Sequence, residues 1–467
     1  MNRTNKTRRN FVQAFIPLAA LPVFMRSNRA TDKADDPTSE IRLKPVYEGS
    51  ALETKFIQTA IDTLSANGGG KVVLAAGDYL VGSIQLKHKI HVHFEQGARL
   101  LATPDSSQYH PDSWKRVLYG FQISYIEISG YGEIDCRAGF EEIQPPVRPP
   151  YEATSYVGLS YKNTGAPRPF FLHDCHHCKI SDIFLQNSGE WSCYILASTD
   201  ISIYNIKILN RAHSRWTDGI DIESSHHVHI SHCDIDTGDD AISIKSAKRG
   251  TKDSTSNVII QNCVLASETN GIRLGTETSM DIYNITIENC LIKGPSDIAP
   301  GPFSGINLTN TQGYANISNL TIRNIKMIDC RAPIFIALQA ETQEYFDAGK
   351  IGTLKNILIE NIDAENFVEK DQPDLTSVIV GSSKQPVENV ILRNLQFTIR
   401  GDDQGQGEEM AEVIDSFSSV KQYHPAPAKG LYLRNVEGII IENFKLREKS
   451  PDARPAIFKN NVIGNNY

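Results

Sequence analysis

Three aspartates in the middle of the chain have the types and spacing that acid–base chemistry requires. Asp218 lies in the run Thr217-Asp218-Gly219-Ile220-Asp221, and Asp239 and Asp240 follow Gly238. Carboxylates gathered in a small volume repel one another, so at least one keeps its proton and its pKa is raised. A protonated carboxyl beside an ionised one can cleave a glycosidic bond, because the first protonates the leaving oxygen and the second activates water or attacks directly. A calcium site or a structural cluster at turns explains the same residues.

The two adjacent aspartates constrain the backbone that carries them. In a regular strand Asp239 and Asp240 would point to opposite faces. Both can face one cleft only at a turn or bulge, and the preceding Gly238 makes that conformation accessible. Asp218 precedes Asp239 by 21 residues, which is about one coil of the repeat described next.

A short repeat predicts the elements that position these carboxylates. The pattern is apolar, any, Ile or Leu, any, Asn, apolar, as in Ile285–Cys290, and successive copies are 23 to 49 residues apart. Alternating apolar residues in a repeat of this size are typical of stacked strand-rich coils. We therefore predict an all-β fold, a single right-handed parallel β-helix over residues 31–467, with a short capping helix at Phe56–Leu64. The Asn-equivalent positions are Asp182, Asn205, His232, Asn262, Asn289, Asn324, Asn361, Asn394 and Asn443.

The repeat also predicts a turn and the location of several cysteines in the core. Asn recurring at one position indicates a side-chain ladder at a turn, since Asn tolerates turn conformations. Three of the eight cysteines directly follow this position and should point inward as free thiols: Cys233, Cys263 and Cys290. Two further pairings stay open in an exported protein: Cys175 with Cys178, and Cys136 with Cys193.

The aspartate motifs resemble those of glycoside hydrolase family 28, the polygalacturonase-like enzymes. The resemblance extends over roughly residues 56–338 and includes these further segments: Ser224-Ser225, Gly238–Ile242, Ile244–Ser246, Gly77–Tyr79 and Gly130–Asp135. It implies a β-helix and inverting hydrolysis of pectin-type polysaccharides. By this resemblance Asp239 is the general acid, and Asp218 and Asp240 hold and activate the water.

Three positions depart from that family's pattern, and two of them lie in segments that contact substrate there. Asn270 replaces the family's His in Thr269-Asn270-Gly271, and Trp216 replaces the Asn before Thr-Asp. The family's Arg-Ile-Lys segment, which binds the uronate carboxylate, aligns with Ile306–Thr309, where no Arg or Lys is present. Loss of that anchor weakens the assignment of galacturonate as the sugar. Arg273 is a candidate for a relocated anchor.

The remaining candidates for substrate contact surround the aspartates in sequence. Lys245 either binds substrate or pairs with an aspartate of the cluster. Asp221 and His213 lie close enough in sequence to line the cleft, and Trp216 can stack on a sugar ring. We expect no metal and no cofactor.

The N-terminus predicts export. Arg8-Arg9 followed by the apolar run Phe15–Phe24 is typical of a twin-arginine signal over residues 1–30, with an ordinary secretory leader as the alternative. The chain has 467 residues and a net charge of −8. Residues 1–30 contain six of the 47 basic residues and no acidic ones. Without them, 41 basic and 55 acidic residues remain, so the net charge of the rest of the chain is −14. This balance argues against a nucleic-acid binder. We expect a periplasmic or secreted monomer without membrane association after signal removal.

Taken together, the sequence predicts a glycoside hydrolase acting on a pectin-like or other acidic polysaccharide. A rhamnogalacturonan hydrolase or an exo-acting rhamnosidase on the same fold is the first alternative. A β-helix polysaccharide lyase or epimerase is the second, and a catalytically inactive carbohydrate-binding module is the third. An acidic body repels a polyanion at long range, so binding such a chain requires local basic groups.

Overall fold

The computed structural model shows a parallel β-helix. It describes residues 39–138, 166–210, 216–247, 253–295, 301–311, 314–339, 351–366, 375–401 and 419–464. In these residues 33 strands form one continuous sheet, and every strand pairs in parallel with the strand one coil away. The sheet winds through three faces, here called A, B and C. The predicted right-handed parallel β-helix is confirmed.

Faces A and B carry the repeat pattern. Face A contains β1 Glu40–Leu43, β2 Gly70–Leu74, β5 Ile90–Phe94, β8 Ser124–Gly130, β11 His176–Ser181, β14 Thr199–Tyr204, β17 His226–Ser231, β20 Thr255–Gln261, β23 Ile282–Glu288, β26 Asn316–Ile328, β28 Thr353–Glu365, β30 Val387–Ile399 and β32 Ile440–Glu448. Face B contains β3 Gly77–Val81, β6 Ala98–Ala102, β9 Glu133–Asp135, β12 Phe184–Gln186, β15 Lys207–Leu209, β18 Asp234–Thr237, β21 Val264–Ser267 and β24 Leu291–Lys293. The long strands β26, β28, β30 and β32 continue from face A into face B.

Face C carries the aspartates. It contains β4 Ile84–Gln85, β7 Arg116–Phe121, β10 Arg168–His173, β13 Cys193–Leu196, β16 Ile220–Glu223, β19 Ile242–Ser246, β22 Asn270–Thr278, β25 Ser304–Asn310, β27 Ala332–Leu338, β29 Ser377–Val380, β31 Leu431–Glu437 and β33 Ile457–Ile463. Three short 3-10 helices complete the described elements: Ser106–Gln108, Pro111–Ser113 and Val420–Tyr423.

The predicted asparagine turn joins face A to face B. All nine Asn-equivalent positions have a positive φ, between 51° and 63°. This left-handed conformation favours Asn and Asp over other residues with a β-carbon. Side chains bond from coil to coil, with Asn361 Nδ2 donating to Asn324 Oδ1 at 2.9 Å and Asn394 Nδ2 donating to Asn361 Oδ1 at 2.9 Å. The predicted ladder is confirmed.

A second asparagine ladder, not predicted from the repeat, lies five residues before the first. Asn319 Nδ2 donates to Asn284 at 3.3 Å, and Asn356 Nδ2 donates to Asn319 at 3.2 Å. These residues also have a positive φ. The recurring Asn was present in the sequence, as in Tyr283-Asn284-Ile285.

The apolar core fills the space between the three faces. It includes inward residues of face C such as Ile220, Ile222 and Ile242, each 0% exposed. All eight cysteines are free thiols and buried, so neither of the two open pairings is formed.

The predicted capping helix is α1, Thr54–Ala66, and it buries Ile57, Ala60, Ile61 and Leu64 on the core. Its apolar side therefore covers the first coils from solvent. In the described part of the chain, no helix has the length and hydrophobicity to span a membrane. The predicted export signal, residues 1–30, lies outside the described residues.

Candidate active site

One column of outward-pointing side chains on face C changes from aromatic to polar and back along the axis of the β-helix. The column consists of successive register partners: Tyr119, Phe171, Tyr194, Asp221, Ser243, Arg273, Asn307, Phe335, Val378 and Tyr432. Side chains alternate along a strand, so this column points away from the core. Its four middle residues are charged or polar, and both ends are mainly aromatic. The charged sector is where the predicted aspartates gather.

Asp239 and Asp240 lie in the bend between β18 and β19, as predicted, and both face the same side. The Thr269 hydroxyl lies 3.0 Å from Asp239 Oδ1 and 2.7 Å from Asp240 Oδ1. Asp239 Oδ2 also accepts a hydrogen bond from the backbone N–H of Trp216 at 2.8 Å. Asp218 is on the neighbouring coil, because the N–H of the following Gly219 donates to the Asp240 carbonyl at 2.9 Å.

Asp240 is surrounded by hydrogen-bond donors. Asn270 Nδ2 donates to Asp240 Oδ1 at 2.6 Å, and Arg273 is 3.6 Å from Asp240 Oδ2. Asn270 is held in this orientation because its Oδ1 accepts bonds from the side chains of Ser304 and Asn307. An amide N–H and a guanidinium can only donate, so Asp240 acts as a hydrogen-bond acceptor toward both.

A second, more deeply buried group lies beside Asp218. The Lys245 ammonium is 2.8 Å from Asp221 Oδ1 and 3.7 Å from Asp218 Oδ2. The same nitrogen is 3.6 Å from the centroid of the Trp191 ring, a cation–π contact. Asp221 is 0% exposed, and Lys245 and Asp218 are each 4% exposed. The geometry therefore pairs Lys245 with aspartates.

The aspartates differ in their affinity for protons. Burial and the charge of Asp240 raise the pKa of Asp239 to about 6. Burial, Asp221 and Asp239 raise the pKa of Asp218 well above its usual range, although Lys245 opposes the shift. Burial opposes the charge of Lys245, but nearby carboxylates, Asp221 first among them, raise its pKa above the ordinary value. Asp239 therefore holds a proton in mildly acidic solution.

The predicted site residues occupy distinct positions in this arrangement. Asp221 lies buried against Lys245, and Asn270 is bonded to Asp240. That these two residues contact substrate stays a prediction. The Trp216 side chain is 54% exposed and its backbone supports Asp239. Arg273 is mostly buried, at 17% side-chain exposure. His213 lies outside the described residues.

Three residues that orient the acids were not predicted from the sequence. Thr269 bridges Asp239 and Asp240, and Ser304 and Asn307 fix Asn270. The signal available was strand register, since Asn270 pairs with Ser304 and Arg273 with Asn307. Loops of unequal length between repeats hid that register in the sequence.

Clustered carboxylates are also the ligands that a hard metal ion prefers. Among the described residues, no group of three His, Cys, Asp or Glu side chains has the arrangement of a metal site. Two cations of the chain itself, Lys245 and Arg273, lie where positive charge offsets the carboxylates. The carboxylates consequently have internal counter-charges.

The fold and the gathered aspartates define a member of a hydrolase family. Residues 66–416 match the family described as Glycosyl hydrolases family 28, and the chain belongs to this family. The resemblance inferred from the motifs is thus confirmed.

The relatives are polygalacturonases. A probable polygalacturonase of Arabidopsis thaliana is 27% identical over 297 residues, 61% of this chain and 60% of that protein. An endo-polygalacturonase of Pectobacterium carotovorum subsp. carotovorum is 24% identical over 346 residues, 70% and 82% of the respective chains. The crystal structure of a hyperthermoactive exopolygalacturonase from Thermotoga maritima shares the fold with a TM-score of 0.65 at 18% identity, covering 88% of this chain and 92% of that one. The chain spans 60% of the length of the Arabidopsis relative it matches.

Proposed function

We propose that this protein is a glycoside hydrolase that cleaves a pectin-like or other acidic polysaccharide with inversion at the anomeric carbon. Asp239 is the general acid and donates its proton to the leaving glycosidic oxygen. Asp240 is the base that activates the attacking water, and Asp218 helps to hold that water. Hydrolysis with inversion needs one carboxyl that donates a proton to the leaving oxygen and another that activates the attacking water.

The observation that carries this proposal is the unequal environment of two adjacent carboxyls. Asp239 and Asp240 share the Thr269 hydroxyl, yet only Asp240 also contacts the Asn270 amide and the Arg273 guanidinium. Burial and the neighbouring Asp240 raise the pKa of Asp239 to about 6. Two titratable groups whose surroundings separate their protonation states are suited to acid and base roles.

The position of Arg273 bears on which sugar is bound next to the scissile bond. Arg273 is the register partner of Asn307, which lies in the segment where the family's basic motif is missing. Its guanidinium reaches Asp240 at 3.6 Å, so a uronate bound there would share Arg273 with the catalytic carboxylate. We propose Arg273 as the sugar-carboxylate contact next to the scissile bond, and the exposed Trp216 ring as a stacking surface.

We further propose that the protein acts outside the cytoplasm. Arg8-Arg9 and the apolar run that follows support export by the twin-arginine route. Fractionation of cells expressing the full chain, with Arg8 and Arg9 changed to lysine in a parallel culture, tests this. Export that continues unchanged in the Lys-Lys variant would assign the leader to the general secretory route.

The acid assignment is tested with Asp239→Asn, using Asp234→Asn as the matched control. Asp234 is an exposed carboxylate on β18, five residues away in sequence. We expect Asp239→Asn to lower kcat by at least about 10²-fold, the usual range for a general acid, and to retain polysaccharide binding. Asp234→Asn should keep wild-type activity. Retained hydrolysis in Asp239→Asn would refute the role.

The reaction itself is tested on a panel of polygalacturonate, rhamnogalacturonan and rhamnosides, with anomeric NMR of the first product. Inversion predicts that the initial product has the opposite anomeric configuration to the bond cleaved. A product with retained configuration would refute inversion. An unsaturated product, detected by ultraviolet absorbance, would instead identify a lyase. Cleavage confined to neutral rhamnosides would contradict an acidic substrate.

A further inference from the structure

The row of residues that contains Asp239 continues along the axis of the helix beyond the catalytic cluster. Thr269, Phe303 and Arg331 each immediately precede a strand of face C, namely β22, β25 and β27. Backbone bonds connect this row: Ser304 N–H donates to the Thr269 carbonyl at 3.2 Å and Ala332 N–H to the Phe303 carbonyl at 3.0 Å. With coils about 4.8 Å apart, Phe303 lies roughly 10 Å beyond Asp239 along the axis.

Two cations meet at the Phe303 ring. The Lys421 ammonium, from the 3-10 helix Val420–Tyr423, is 3.1 Å from the ring centroid. The Arg331 guanidinium carbon is 5.2 Å from the same centroid. Arg331 is 2% exposed, whereas Phe303 and Lys421 are half-buried. The ring stabilises positive charge at a point that is still open to solvent.

The charges around Lys421 favour an incoming anion. Burial and the neighbouring Arg331 lower the pKa of Lys421 to about 7, while Glu268 acts in the opposite direction. Like charges in a partly desolvated site repel, and an anion that binds between them relieves the repulsion and favours the charged ammonium. The cluster therefore gains more from a carboxylate than a solvated surface lysine would.

We propose that Lys421, held at the Phe303 ring beside the buried Arg331, forms a subsite for the carboxylate of an acidic sugar residue, two to three coils beyond the catalytic aspartates. The subsite rests on the proposed function, because its ligand is a distal unit of the chain cleaved at Asp239. The subsite lies in line with Asp239 and Thr269, so a polysaccharide chain that runs along this row can reach both the subsite and the catalytic aspartates. It supplies basic groups that the segment Ile306–Thr309 lacks.

The experiment compares Lys421→Gln, Lys421→Arg and the control Lys179→Gln. Lys179 is an exposed lysine of β11 on face A, paired with Glu127, so its variant makes the same change of charge away from the cleft. Dissociation constants are measured in the Asp239→Asn background, where cleavage does not consume the ligand. The two ligands are an oligogalacturonide several units long and its carboxyl-reduced neutral counterpart.

We expect Lys421→Gln to weaken binding of the acidic oligomer about tenfold, the scale of one charge-assisted hydrogen bond. Its affinity for the neutral oligomer should stay within twofold of the parent, and Lys421→Arg and Lys179→Gln should bind both ligands as the parent does. Equal losses for the acidic and neutral oligomers, or no loss for either, would overturn the subsite.

The subsite and the proposed function fail in different ways. A wild-type protein that cleaves polygalacturonate while Lys421→Gln binds it normally overturns the subsite alone. A wild-type protein that neither binds nor cleaves an acidic chain overturns both.

Discussion

Replacing Lys245 with methionine removes the cation on which the buried aspartates depend. The ammonium is 2.8 Å from Asp221 and 3.7 Å from Asp218, and all three side chains are at most 5% exposed. Methionine preserves much of the volume and the contact with the Trp191 ring, so the substitution tests charge more than packing. The variant leaves two carboxylates adjacent in a dry site without their counter-charge.

The size of the effect follows from these distances. With an effective dielectric constant of 20, the attraction is about 6 kcal/mol for Asp221 at 2.8 Å and about 4 kcal/mol for Asp218 at 3.7 Å. Part of this offsets the desolvation of the charges, and breaking one buried pair costs about 3–5 kcal/mol net. An unfolding entropy of about 2.1 cal/mol/K per residue gives about 1 kcal/mol per degree for 467 residues. We expect the Tm of Lys245→Met to fall by about 3–5 °C at pH 7.

The loss should depend on pH in a defined direction. Burial already raises the pKa of Asp221, and Lys245 opposes that shift, so removing Lys245 raises the pKa further. A carboxyl whose folded pKa exceeds its unfolded pKa binds more protons in the folded state, so its stability contribution falls as pH rises. The gap between the wild-type protein and Lys245→Met should therefore be small at pH 4 and largest at pH 7.

Calorimetry on four proteins tests this reasoning: wild type, Lys245→Met, Asp221→Asn with Lys245→Met, and the surface control Lys179→Met. The double variant removes both members of the 2.8 Å pair and should recover more than half of the lost Tm. The surface control should melt within 1 °C of wild type. A Lys245→Met protein that melts within 1 °C of wild type at pH 7, or a double variant no more stable than the single one, would refute the pairing.

Three further outcomes are expected. Hydrolysis should decline above about pH 6, because Asp239, whose pKa is raised to about 6, must keep its proton to act as the acid. A rate of hydrolysis that stays unchanged up to pH 8 would contradict this. Asn361→Ala should lower the free energy of unfolding by about 2 kcal/mol, since it loses the ladder bonds to Asn324 and Asn394 and places alanine at φ 56°. Asn361→Gly should lower it by about half as much, because glycine adopts this φ without strain. Equal shifts in Tm for the two variants would argue against backbone strain. The eight buried thiols should react with an aromatic disulfide reagent only after unfolding, and labelling of native Cys263 would show that its coil opens.

Much of the fold could be predicted because its repeat is local. The Asn position recurs with alternating apolar residues, and each of these features requires only a window of about six residues. All nine positions adopt the left-handed turn, and Cys233, Cys263 and Cys290 point inward as expected. The second ladder at Asn284, Asn319 and Asn356 was equally local and was overlooked.

The contacts within the site were harder to predict because they depend on register between coils. Thr269 and Asp239 are 30 residues apart, and Ser304 is 34 residues from Asn270. Loops of different length separate these coils, so counting along the chain does not identify the partners. Lys245 illustrates the limit: the sequence allowed a substrate contact or an aspartate pair, and only the distances favour the pair.

Lys245 and Arg273 both lie against aspartates of the active site, and this affects how an acidic polysaccharide can be recognised. The cluster contains four aspartates and these two cations, so even with protons on Asp218 and Asp239 no excess positive charge remains at the scissile bond. A chain with a net charge of −8 does not attract a polyanion at long range. Recognition of sugar carboxylates beyond the unit at Arg273 then needs cations outside this cluster. Lys421 and Arg331 lie farther along the same face, at Phe303, which is where we propose that distal units of the chain are recognised.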